Sequence, residues 1–70
     1  MQIIKSDFDC SVEELLYPQG SQVVAGDIVL MLNCMKMIFP MQVTVDGTIQ
    51  YLVPAGTCVQ KGQWLARIEE

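Results

Sequence analysis

Short runs of apolar and β-branched residues alternate with turn residues along the whole chain, a spacing that suits many short strands rather than helices. Residues 2–5 form a β-prone run, and residues 6–11 read as a turn. Residues 12–17 contain a Glu pair that leans towards helix, but Pro18-Gln19-Gly20 ends the run after six residues, too soon for a stable helix, so a strand is expected. Residues 22–24 are extended and Ala25-Gly26-Asp27 turns. Residues 28–32 are uniformly apolar, as in a strand buried on both faces. Pro40 marks an edge strand or a bulge. Residues 42–45 alternate, and Asp46-Gly47 reads as a hairpin turn into a strand at 48–53. Pro54-Ala55-Gly56 and Gln60-Lys61-Gly62 are turns around an extended Cys58-Val59, and residues 63–68 close the sheet.

The pattern repeats. Shifted by 36, Leu16 meets Leu52, Pro18 meets Pro54, Gly20 meets Gly56, Val23 meets Val59 and Gly26 meets Gly62. Five identities in the eleven positions 16–26 include the turn residues. Before position 16 the register becomes 37, with Cys10-Ser11-Val12 matching Gly47-Thr48-Ile49, so the first half carries one extra residue. Neither half can bury an apolar face alone. Two similar sheets, related by a pseudo-two-fold axis and packed face to face, are expected over residues 1–70 as a single all-β domain. Trp64 matches Ile28, which assigns it to core or boundary packing.

Lys36, at the midpoint, is the only charge between Asp27 and Asp46. Two readings are open. It is an exposed cation that discourages strand aggregation, or it is held at a turn for a group to be attached. A hairpin turn near Met35-Lys36 lacks the Asn, Asp or Gly that such turns favour, and local conflicts of this kind concentrate at functional sites. A continuous strand competes with that turn. As the junction of the two halves, Lys36 is expected at one end of the molecule, with both termini towards the other.

The central Cys34-Met35-Lys36-Met37, set between two similar halves, resembles the attachment site of biotinyl domains, and the resemblance covers essentially the whole chain. That family usually has Glu, then Ala or Ser, then Met-Lys-Met or Met-Lys-Leu; here Asn33 and Cys34 occupy the first two places, and Ile38 follows where an acidic residue is common. The family also carries Pro-Gly where this chain has Asp9-Cys10, which raises the prospect of backbone strain at Cys10. The matched half-lengths leave no room for the mobile thumb that some members insert. The resemblance implies the flattened barrel or sandwich of two four-stranded sheets known as the biotinyl/lipoyl hammerhead. It also implies biotin covalently bound to Lys36. A biotin–protein ligase would attach it, a biotin carboxylase would carboxylate it, and it would carry CO2 to a carboxyltransferase or decarboxylase. Met35, Met37 and Cys34 are the flanking cofactor-site residues, with the methionines serving recognition and docking or packing on the hairpin. Ile38 and Phe39 are assigned to the core. On this reading the chain is a carrier rather than an enzyme. A lipoyl carrier shares the fold but typically has Asp before its lysine; a non-carrier interaction module of the same fold is a further alternative.

Composition narrows the remaining classes. The net charge is −4 with four cations in 70 residues, which argues against nucleic-acid and anionic-membrane partners. The apolar stretch 28–39 contains Asn33 and Lys36 and is too short to span a bilayer. The first seven residues lack the layout of a signal peptide, which makes the cytoplasm the default compartment. There is no His, so neither a His-containing metal shell nor a Cys–His pair can form. Cys10, Cys34 and Cys58 are evenly spaced and odd in number, which argues against a disulfide or zinc framework and for small hydrophobes in a reducing compartment. Glu13, Glu14, Glu69 and Glu70 read as a solvated face, and no catalytic or metal-binding set is expected.

Overall fold

A computed structural model describes all residues, Met1–Glu70. Eight strands form in order: β1 (Gln2–Lys5), β2 (Cys10–Leu15), β3 (Gln22–Val23), β4 (Ile28–Cys34), β5 (Met37–Gln42), β6 (Gly47–Tyr51), β7 (Cys58–Val59) and β8 (Trp64–Glu69). They make two four-stranded antiparallel sheets, ordered β1-β8-β6-β3 and β5-β4-β2-β7. Replacing each strand by its counterpart four places along converts one sheet into the other. Each sheet therefore draws strands from both halves, and the halves interleave.

The turns obey the same symmetry. Gly20 N–H donates to Ile49 O and Gly56 N–H to Val12 O; Gly26 N–H donates to Val43 O and Gly62 N–H to Ser6 O. All four glycines have positive φ, between 84° and 97°, which explains why these positions repeat as glycine. The extra residue of the first half is a bulge. Val12 pairs with Leu32 and Glu14 with Met31, leaving Glu13 out of the ladder, whereas β6 pairs with β8 without a break.

The core lies between the sheets. Val12, Val29, Leu30 and Leu32 from one meet Ile49, Leu65 and Ile68 from the other, all essentially buried. Each such side chain contributes about 1.5–3 kcal/mol through burial. In β4 a register shift between Ile28 and Leu30 accompanies the burial of two successive residues, Val29 and Leu30, while Met31 is only partly buried. The uniformly apolar run thus reflects a bulged strand with one main buried face, not burial on both. Pro40 lies in β5, an edge strand, where its missing N–H costs no ladder bond.

Four local expectations are corrected. β2 begins at Cys10, inside the presumed turn, and ends at Leu15. Cys10 does not have positive φ, so no strain arises there. Asp46-Gly47 is not a hairpin: β5 and β6 belong to different sheets, and the intervening chain crosses between them. The alternation at 42–45 arises because Val43 is buried while its N–H donates to Asp27 O and its carbonyl accepts from Gly26. Trp64 is 52% exposed rather than a core residue.

The termini meet where the Met1 amine lies 3.1 Å from the Glu70 carboxylate. Gln2 Oε1 accepts the N–H of Thr44 at 2.7 Å, just beyond the Ile28–Gln42 pair that forms the base of the β4–β5 hairpin. Both termini therefore sit at the end away from the hairpin tip.

Candidate functional site

The β4–β5 ladder runs without interruption from Leu30–Met41 to Cys34–Met37, and Met35 and Lys36 form the two-residue turn that joins the strands. Their φ values are 53° and 68°, the only positive φ among residues other than glycine. Two successive residues of this hand match the right-handed twist of the flanking strands. Neither is a glycine, so each costs roughly 1–2 kcal/mol. Asn33 offsets part of that cost, its Oδ1 accepting the Lys36 N–H at 3.1 Å.

This geometry holds Lys36 beyond the last rung of the sheet. The Lys36 side chain is exposed and takes part in neither of the two ion pairs, Met1–Glu70 and Arg67–Glu69. Met35 is 93% and Met37 61% exposed, so Met35 stands almost entirely free and Met37 is only partly covered. Ile38 is also exposed and does not belong to the core. Phe39 is partly buried against the core, and its ring lies 6.1 Å from that of Phe8.

Two hollows flank Met35. One, of about 300 Å³, is lined by Phe8, Asp9, Cys34, Met35, Met37 and Phe39. The other, of about 470 Å³, is bounded by Cys10, Ser11, Asn33, Met35 and Cys58 among others. A third hollow, beside Tyr17, Pro18, Tyr51 and Pro54, lies at the other end of β2 and holds no nucleophile other than its tyrosines. No cluster of three potential metal ligands exists, and no helix is long and apolar enough to cross a membrane.

The cysteines depart from expectation. Cys10 and Cys34 are joined by a disulfide, with Cα atoms 4.5 Å apart; Cys58 is free and exposed. Sequence spacing could not reveal the pair, because its partners meet through the β2–β4 register, in which Ser11 faces Asn33 and the next rung outwards is Cys10 with Cys34. Phe8 has no counterpart in the sequence reading of the tip, and the Asn33 hydrogen bond that closes the turn is not visible in sequence. Phe8, an apolar residue isolated between Asp7 and Asp9, was the available signal.

The sequence and fold have clear relatives. The family model described as "Biotin-requiring enzyme" matches residues 2–68. A "Biotinylated protein TB7.3 homolog" of Mycobacterium leprae (strain TN) is 30% identical over 66 residues, covering 93% of each chain. The alpha3 subunit of a biotin-dependent acyl-coenzyme A carboxylase from the same organism is 38% identical over 60 residues, covering 84% of this chain and 10% of that one. The present chain thus spans about a tenth of that subunit's length. Among solved structures, the Kluyveromyces lactis urea carboxylase superposes with a TM-score of 0.86 at 25% identity, over 97% of this chain and 6% of that chain. A single-chain, multi-domain long-chain acyl-CoA carboxylase gives 0.80 at 25% identity, over 91% of this chain and 7% of that chain.

Proposed function

The chain belongs to the biotin- and lipoyl-attachment family, as a biotin-carrier domain, and from that premise we propose that Lys36 is the residue that carries biotin, as an amide on Nζ. The observation that supports this most directly is the Met35-Lys36 turn. Both residues occupy a disfavoured backbone region, and the result is an exposed amine at the extreme tip of a rigid hairpin. A turn with Asn-Gly would fold more readily, so the sequence accepts a local cost that presents the lysine. Lys5 and Lys61, the other two lysines, lie elsewhere: Lys5 ends β1, and Lys61 sits in the glycine turn after β7.

The residues around Lys36 fit such a group. Acylation of Nζ would remove its charge, and no carboxylate partner would be left unpaired. Met35 and Met37 flank the attachment point with flexible apolar side chains, which suit surfaces that must be recognised by more than one partner. When bound, biotin supplies a ureido ring that can accept and release CO2. The protein's own part is mechanical. The β4–β5 ladder and the Asn33 bond fix the origin of the arm, and tethering raises the effective concentration of the ring at nearby active sites.

The partners implied are a biotin–protein ligase, a biotin carboxylase and a carboxyltransferase or decarboxylase. The domain is a carrier in this scheme and contributes no catalytic group. Methionines on both sides of Lys36, and relatives named for biotin, favour this over a lipoyl carrier. The test is loading of the ligase-treated domain by a biotin carboxylase with ATP and radiolabelled bicarbonate. Label should be retained by the parent and not by Lys36→Ala; equal label on both would refute the assignment.

A further inference from the structure

We propose that Cys10 and Cys34 form a reversible thiol–disulfide site that sets the rigidity of the Lys36 hairpin. The inference rests on the geometry of the hairpin and holds whatever group Lys36 carries. The two cysteines face each other one position beyond Ser11–Asn33, the last β2–β4 ladder pair. Their Cα separation of 4.5 Å falls within the range that a disulfide spans and matches the closer of the two antiparallel rung types. Past Asn33, β2 offers the hairpin no further ladder pair; Cys34 is held there by its pairing with Met37, by its packing in the core and by the bond to Cys10.

That bond lies directly beside the turn. Cys34 immediately precedes Met35, and the next two residues are the two with disfavoured backbone. Such a conformation persists only where its surroundings over-determine it. The supports are the Cys34–Met37 rung, the Asn33–Lys36 hydrogen bond and the disulfide. Removing the third leaves the turn with two supports and loosens it.

The pair is also within reach of reagents. Cys10 is 9% and Cys34 6% exposed, and each borders a different surface hollow beside Met35. A thiolate of a dithiol reductant attacks one sulfur and breaks the Cys10–Cys34 bond. Its second thiolate then resolves the mixed disulfide. Two electrons pass to the protein, each cysteine takes up one proton, and the reductant leaves as its cyclic disulfide. A disulfide oxidant such as oxidised glutathione reverses the change by the same exchange.

The test uses the full chain carrying Cys58→Ser, so that only this pair reacts. After treatment with oxidised glutathione or with dithiothreitol, alkylation and intact mass count free thiols, and hydrogen exchange follows the amides of residues 33–38. The expected count is no alkyl group in the oxidised form and two in the reduced form. Exchange at 33–38 should be roughly tenfold faster after reduction, with the β6–β8 ladder unchanged. Replacing both partners, Cys10→Ala with Cys34→Ala, in the same background should give a chain that exchanges like the reduced form and ignores both reagents. Should that variant fail to fold, the comparison of oxidised and reduced chain decides alone. Two alkyl groups after oxidation, equal exchange at 33–38 in both forms, or a uniform rise over all strands would each overturn the proposal.

Discussion

Asn33 Oδ1 accepts the backbone N–H of Lys36 at 3.1 Å, so a side chain of β4 closes the turn that carries the lysine. Asn33→Ala removes that acceptor and should lower stability by about 1 kcal/mol. Urea denaturation measures the loss, and hydrogen exchange should show it concentrated at the Lys36 amide. Asn33→Asp keeps an oxygen acceptor and should retain most of the effect.

Met35 has φ 53°, a conformation that asparagine tolerates better than methionine. Met35→Asn should therefore stabilise the fold by roughly 0.5–1 kcal/mol, part of the cost of a left-handed residue. The same change removes an exposed apolar side chain beside Lys36, so ligase-catalysed biotinylation should slow. Thermal unfolding and initial modification rates, measured on one preparation, should move in these opposite directions.

Gly47 matters for closeness rather than for φ. A Cβ there would collide with the backbone carbonyl of Glu69 and the Ile68 side chain, both backed by the β6–β8 ladder. Gly47→Ala should cost about 1–3 kcal/mol, the usual range for overpacking. Ala placed at Gly26 meets nothing within 4 Å and loses only its φ of 97°. Denaturation of the two variants, read with the resonances of Ile68 and Glu69, separates collision from backbone strain.

Tyr51 contributes an alkaline pH dependence. Its hydroxyl donates to Val29 O at 2.8 Å and accepts the Tyr17 N–H at 3.2 Å. Burial raises its pKa above the ordinary value of 10.0, opposed by the Tyr17 N–H bond. A raised folded-state pKa means stability that is fully present below pH 10 and is lost as pH climbs from there through the folded-state value. Tyr51→Phe should flatten that alkaline decline and cost about 1–3 kcal/mol at neutral pH by leaving the Tyr17 N–H without its acceptor, while Val29 O keeps the bond from the Leu16 N–H. Unfolding free energies from pH 7 to 11 in both proteins check the slope.

The repeat and its turns were legible because they rest on short-range signals, and the place of Lys36 at one end followed from its position between the two halves. Gly20 and Gly56, or Gly26 and Gly62, mark equivalent turns by their own conformational needs. The one-residue slip before Leu16 was legible too, and it became the bulge at Glu13. What could not be read depends on contacts between distant segments. The interleaving of the halves makes β5 and β6 members of different sheets, which no local Asp-Gly signal can report. The Cys10–Cys34 bond likewise depends on cross-strand register, while even spacing in sequence pointed away from it. The repeat match of Trp64 to Ile28 and the apolar character of Ile38 point inwards or to the boundary, whereas both side chains are about half exposed.

The most direct measurement is the intact mass of the chain after incubation with biotin, ATP and a biotin–protein ligase, beside Lys36→Ala. A single biotinyl addition to the parent and none to the variant is the expected result. No addition to a folded parent, or an equal addition to both chains, would contradict the assignment of Lys36 as the attachment site.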